Sequence, residues 1–79
     1  MEKKLVNIIN EMFESNFESL EKECNLATDL SIDSLRMMDL VVEIEEEFGI
    51  SIPDNIIGDL LVFGKLVEFV EKSVERGEN

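Results

Sequence analysis

Apolar residues recur at spacings of three and four in separate stretches of this chain and lose that rhythm between them. Leu5, Ile8, Ile9, Met12 and Phe13 form the first stripe and predict an amphipathic helix over about residues 2–15. From 16 to 32 the period breaks down. Phe17, Leu20, Leu26 and Leu30 stand as isolated apolar anchors among Asn, Ser, Thr and acidic residues, which predicts a long loop with room for one helical turn. A second stripe then begins. Asp33 suits its start, because a carboxylate there accepts a hydrogen bond from an otherwise unpaired backbone N–H at the positive end of the helix; Ser34 then occupies the first turn. The stripe runs to Phe48, where Gly49 can take the left-handed conformation that ends a helix and Ile50 can make the apolar contact back. Pro53 is expected to prevent an immediate restart. Ile56, Ile57, Leu60 and Leu61 predict a short third helix, and Phe63, Leu66, Val67, Val70 and Val74 a fourth, ahead of a polar tail over 75–79.

Helices with one apolar face each bury those faces most simply against one another. The expected fold class is therefore all-α, a small four-helix bundle of three main helices and one short one. It fills a single domain over 1–79, with a helical core over about 2–75. No strand pattern competes, since Ile50 and Ile52 alternate around Ser51 over too short a segment to need a sheet.

The second helix is unusual in having two distinct apolar sets. At about 100° per residue, Met37, Leu40, Val41, Ile44 and Phe48 fall on one side and are the expected core. Leu35, Met38 and Val42 fall on the other, together with Asp39 and Glu46, and with Glu45 near the edge. Widening of the core stripe is the ordinary explanation of such a second set, but the angular separation argues against it here. An apolar patch rimmed with acid suits a partner that brings a complementary apolar socket and basic side chains, and methionine adapts its shape to such contacts. Between Ser34 and Phe48 the acids Asp39, Glu43, Glu45, Glu46 and Glu47 face Arg36 alone. Three of them crowd the last turn, where they oppose the macrodipole and repel each other, so local stability would favour lysine. A broken local rule points towards recognition, with solubility as the competing explanation.

Composition narrows the function. Nineteen acidic residues against seven basic ones in 79 residues leave a net charge of −12. That charge repels nucleic acid and anionic lipid and favours partners with basic patches. No apolar run approaches the roughly 20 residues of a membrane span, and the amino terminus lacks the apolar core of a signal peptide, so a cytoplasmic protein without membrane insertion is expected. A chain this short buries a modest fraction of its surface, and marginal stability and a monomeric state are expected. Histidine is absent and Cys24 is the single cysteine, so no Ser/His/Asp or Cys/His constellation and no zinc cluster can be assembled. Cys24 is expected to be a reduced thiol in a loop, and the chain a non-catalytic carrier or binding protein.

The run from Asp33 to Asp54, D-S-L-R-M-M-D-L-V-V-E-I-E-E-E-F-G-I-S-I-P-D, resembles the acyl carrier protein family. A lone Asp-Ser-Leu tripeptide is weak, and helix capping is its ordinary explanation. The combination of a serine in the first turn, a two-faced acidic helix, the F-G-I-x-I-P-D exit and the length of one bundle is far more specific. The resemblance spans nearly the whole chain and implies a bundle of acyl-carrier type. It implies a 4'-phosphopantetheine arm joined covalently to Ser34, installed by a phosphopantetheinyl transferase from coenzyme A, whose thiol holds acyl cargo as a thioester. The implied partners are that transferase and acyl-loading and acyl-processing enzymes with basic docking patches, in fatty acid or specialised (polyketide, peptide or amino-acyl) biosynthesis. Asp33, Leu35, Arg36, Met38, Asp39, Val42, Glu45 and Glu46 are the implied recognition surface.

The chain departs from the family's common pattern in three places. Ser31 stands where glycine often precedes the attachment segment, Arg36 stands where fatty acid carriers usually have an acid, and Val62-Phe63-Gly64-Lys65 replaces a Thr-Val-Gly-Asp that would supply a helix cap. The competing class is a small acidic helical adaptor that binds a partner through Leu35, Met38 and Val42 and carries no prosthetic group. A calcium sensor is disfavoured by the lack of D-x-D-x-D-G spacing with a closing glutamate, although the 43–47 acids leave weak divalent binding open.

Overall fold

The computed structural model describes residues 1–77, so the last part of the expected polar tail lies outside the described residues. The apolar stripes become α1 (Glu2–Phe13), α2 (Ser34–Phe48), a short 3-10 helix (Asp54–Leu60) and α3 (Phe63–Glu75). This is the expected all-helical arrangement of three main helices and one short one. α1 packs on α2, and α3 packs on the 3-10 helix. Leu5 and Ile9 of α1, Leu40 and Ile44 of α2, and Phe63, Leu66 and Val70 of α3 are fully enclosed, joined by Leu26 from the long loop. Burying each such side chain stabilises the fold by about 1.5–3 kcal/mol before conformational entropy is set against it.

α1 stops at Phe13, before the expected Ser15. Glu14 turns left-handed (φ 54°), and its N–H is donated to the Asn10 carbonyl. The Asn10 side chain then holds the departing chain. Its Nδ2 donates to the Phe17 carbonyl at 2.8 Å, and its Oδ1 accepts from the Ser15 hydroxyl at 2.9 Å and the Phe17 N–H at 3.0 Å. Because its backbone is fixed on both sides, Phe17 stays on the outside, exposed, and is not the core anchor its apolarity suggests. Leu20 and Leu26 are buried and Leu30 is half-buried.

After α2 residues 49–53 are non-helical, and the chain restarts only at Asp54. Pro53, extended at φ −62° and ψ 141°, sits directly before the 3-10 helix and delivers the chain into it. At that position its missing N–H costs nothing. Ser51 points outward between buried Ile50 and Ile52. Along α3 the buried row drifts near the C-terminal end: Ser73 is enclosed at 1 % exposure, while Val74, expected in the core, is exposed. Helices that cross at an angle touch along an oblique row of three- and four-spaced residues, here Leu66, Val70 and Ser73, and not along one fixed angle.

Val62, at the capping position before α3, supplies no side-chain cap. Loop carbonyls substitute for it. Phe63 N–H donates to the Cys24 carbonyl at 2.8 Å and Gly64 N–H to the Lys22 carbonyl at 2.9 Å, while Leu26 N–H donates to the Leu61 carbonyl at 2.7 Å. Asn25 and Val62 face each other in an isolated antiparallel bridge. The backbones approach closely because Gly64 has no side chain: a Cβ there would lie 3.0 Å from both the Cβ and the carbonyl oxygen of Lys22. Gly64→Ala should therefore lower stability by about 1–2 kcal/mol, read as a lower urea midpoint, although alanine is the better helix former by about 1 kcal/mol. A stabilised variant would show that the close approach is dispensable.

Candidate functional site

The start of α2 is built from the loop before it. Asn25 Oδ1 accepts from the N–H groups of Ala27 and Thr28, and Asp29 Oδ2 accepts from Asn25 N–H, each at 2.9 Å, closing one tight turn. Ser31 then takes a left-handed conformation (φ 58°), where a non-glycine residue costs roughly 1–2 kcal/mol. Ile32 returns to the core, and its N–H donates to the Leu26 carbonyl at 3.2 Å. Asp33, extended at φ −78° and ψ 175°, caps the helix. Its Oδ1 accepts from Arg36 N–H at 2.8 Å. Ser34 is the first helical residue and is exposed.

The chain has six serines, and their settings differ. Ser15 donates its hydroxyl to Asn10, Ser31 occupies a strained turn, Ser73 is buried, and Ser19 and Ser51 lie exposed on irregular segments. Ser34 alone combines exposure with a helix N-terminus, where backbone N–H groups and the dipole favour negative charge. It also borders a cleft of about 250 Å³ walled by Ile32, Met37, Met38, Ile57 and Leu61. The sequence pattern did not single out this cleft, although the small residues Ala27 and Gly58 at its rim are its one trace in the sequence.

α2 presents two faces. Met37, Leu40, Val41 and Ile44 are buried and Phe48 half-buried, whereas Leu35, Met38 and Val42 are 79 %, 41 % and 49 % exposed. Asp39 and Glu46 are exposed beside that apolar strip. Glu45 is placed differently: it is half-buried, and its Oε2 accepts from Ile52 N–H at 2.7 Å, so it pins the exit of the helix. One of the last-turn acids thus has a structural partner. Gly49 is left-handed (φ 64°), and its N–H, like that of Ile50, is donated to the Glu45 carbonyl. The Arg36 guanidinium lies over the Phe13 ring, 5.7 Å from its centroid, and is thereby drawn towards α1. Acids are spread evenly along the chain, but cations are nearly absent from this part of it. Residues 23–64 hold ten acids and a single cation, Arg36.

Cys24 is a half-buried free thiol. Burial first, then the Asp29 and Glu21 carboxylates, push its pKa up, which keeps it protonated and a poor nucleophile near neutral pH. Among the described residues no group of three or more His, Cys, Asp or Glu side chains is arranged to hold a metal ion.

A family model described as the phosphopantetheine attachment site matches residues 3–70. The chain is 39 % identical over 66 residues to an acyl carrier protein of Arthrobacter sp. (strain FB24), covering 84 % of this chain and 82 % of that one. It is 36 % identical over 67 residues to an acyl carrier protein of Picosynechococcus sp. (strain ATCC 27264 / PCC 7002 / PR-6), with 85 % and 83 % covered. An acyl carrier protein of Porphyromonas gingivalis (strain ATCC 33277) is 27 % identical over 75 residues, 95 % of this chain and 96 % of that one.

Two stability measurements check the geometry. Glu45→Ala leaves the Ile52 N–H without its carboxylate and should cost about 1–2 kcal/mol in urea unfolding, while Glu46→Ala on the same turn stays within about 0.5 kcal/mol of the parent. Equal costs would remove the pinning role. Ser31→Gly relieves the left-handed turn and should raise stability by about 0.5–1 kcal/mol once glycine's larger unfolded-state entropy is counted; a loss would mean that the Ser31 side chain is itself needed.

Proposed function

This chain belongs to the acyl carrier protein family, and we propose that Ser34 is the residue through which it bears its 4'-phosphopantetheine arm. The observation that carries this reading is the setting of Ser34: exposed, first in α2, and beside an apolar cleft. Such a serine fits the arm. A phosphodiester on its Oγ lies where the helix dipole favours negative charge, partly offset by the Asp33 carboxylate. When bound, the arm supplies a terminal thiol that holds acyl cargo as a thioester. In the loading reaction the Ser34 Oγ forms a new P–O bond to the phosphopantetheinyl group of coenzyme A, the pyrophosphate bond of coenzyme A breaks with adenosine 3',5'-bisphosphate leaving, and the hydroxyl proton passes to a base that the transferase provides. The carrier itself contributes position and not catalysis: the sequence lacks histidine, and the neighbouring Asp33 carboxylate is engaged as a cap with the Arg36 N–H.

Recognition by the transferase and by acyl-loading and acyl-processing enzymes falls to the outer face of α2. Leu35, Met38 and Val42 supply apolar contact, and Asp39 and Glu46 attract basic groups of the partner. Asp33 and Glu45 act mainly through the backbone they hold, at the two ends of the helix. Arg36 marks the α1 side of the surface with positive charge. A net charge of −12 disfavours self-association, and a free thiol at Cys24 suits a reducing compartment, so a cytoplasmic monomer is the accompanying reading.

Ser34→Ala should abolish uptake of phosphopantetheine from coenzyme A in the presence of a broad-specificity transferase, measured on the intact protein by mass, while the helical circular dichroism and melting midpoint stay close to the parent's. Uptake by the alanine variant would place the attachment elsewhere. Reversing the charges of Asp39 and Glu46 together should slow the same reaction at least about tenfold at low salt, with the difference shrinking as salt is raised. Unchanged low-salt kinetics would remove these acids from the docking surface.

A further inference from the structure

Two clefts border Ile32, the first almost wholly apolar and the second mixed, with Ser15 and Asp29 among its lining. The first, about 250 Å³, opens beside Ser34. The second, also about 250 Å³, lies between the last turn of α1 and residues 29–32, walled by Ile9, Phe13 and Leu30 with Phe17 at its edge. Among the described residues Ile32 is the one that borders both. Its side chain is buried, at 6 % exposure, and its backbone is tied through its N–H to the Leu26 carbonyl. A partition held in this way can yield by rotation or substitution of one side chain while the loop stays in place.

We infer that Ile32 is the stop that limits how much of a linear apolar acyl tail this carrier shelters. The inference rests on Ser34 being the attachment point. A tail tethered at Ser34 has a high effective concentration at the mouth of the first cleft. Each methylene that leaves water there is favoured, and the walls offer a polar cargo few partners. A cleft of about 250 Å³ that is open to solvent on one side is of the order of a medium-length tail at roughly 30 Å³ per methylene-sized group. A longer tail must displace Ile32, which lies in a close-packed interior that resists added volume. Past Ile32 the second cleft continues along Phe13 and Leu30 to the core at Ile9, which is 1 % exposed, with Ser15 and Asp29 forming a more polar side. The exposed Phe17, held in place by Asn10, then forms part of the far wall of a continuous path.

The test uses the full chain, loaded from butyryl-, octanoyl- and dodecanoyl-coenzyme A by a broad-specificity phosphopantetheinyl transferase, with the adduct located by peptide mass before any melting is done. Melting midpoints and methyl NMR shifts of Ile9, Leu30 and Ile57 are then compared with the unacylated holo form of the same protein. In the parent, octanoyl should raise the midpoint by about 4 °C or more over butyryl and shift Ile57 but not Ile9 or Leu30, and dodecanoyl should add nothing further. In Ile32→Ala, dodecanoyl should exceed octanoyl and shift Ile9 and Leu30 as well. Ile32→Val, the milder change to the core, should move the limit the same way by less, which covers the case in which the alanine variant fails to fold. The inference is overturned by the same chain-length dependence in parent and variants, by a parent in which octanoyl already shifts Ile9, or by acylated proteins with no methyl shift. Folded protein with no adduct on Ser34 instead overturns the attachment reading and this inference with it, and the mass measurement separates that failure from the others.

Discussion

The backbone pairing between residues 22–26 and 61–64 is the constraint on which the rest of the structure depends. It satisfies the first N–H groups of α3 with loop carbonyls, Phe63 to Cys24 and Gly64 to Lys22. The same pairing draws Leu26 fully into the core beside the fully buried Phe63. Leu26 in turn offers its carbonyl to Ile32, which sets the approach of the chain to Asp33 and Ser34. An irregular loop of nearly twenty residues would ordinarily leave its end loosely placed. Here hydrogen bonds that span some 35 to 42 positions of sequence turn it into a rigid support for the start of α2.

From that support the functional surface follows with little further design. α2 buries Met37, Leu40, Val41 and Ile44 and so must present Leu35, Met38 and Val42 outward. Its two ends are fixed by carboxylates bound to backbone N–H groups, Asp33 to Arg36 and Glu45 to Ile52. A helix held at both ends can offer an exposed apolar strip to partners without losing its own geometry. On the proposed reading, the near absence of cations over 23–64 leaves the acids there unopposed and free to attract basic partners.

Those features differ in how far they can be read from sequence. α2 is legible almost to the residue, because Asp33 and Gly49 are strong local signals whose physics is independent of the rest of the fold. The end of α1 is not, because Glu14 carries no preference for the left-handed conformation it adopts and the decision is made by the Asn10 side chain across seven residues. The cap of α3 is invisible for a similar reason: Val62 has no capping oxygen, and the acceptors come from carbonyls some forty residues earlier, which any residue type supplies. The exchange of Val74 for Ser73 in the buried row depends on the crossing geometry of packed helices, and periodicity alone contains no crossing angle. The excess of acid in the last turn of α2 is read as recognition from sequence, yet Glu45 is committed to Ile52, a contact seven residues away. The exposure of Leu35, Met38 and Val42, by contrast, is written in the angles of the helix itself.

The central claim is that one of six serines, Ser34, is a tether positioned by a folded loop and not a serine that merely starts a helix. Proteolytic peptide mapping of the folded parent protein, after incubation with coenzyme A and a broad-specificity transferase, tests it most directly because every serine is inspected at once. The account predicts a single phosphopantetheine, carried wholly by the peptide that contains Ser34. An adduct on any other serine, or none with several transferases on protein shown to be folded, would contradict it.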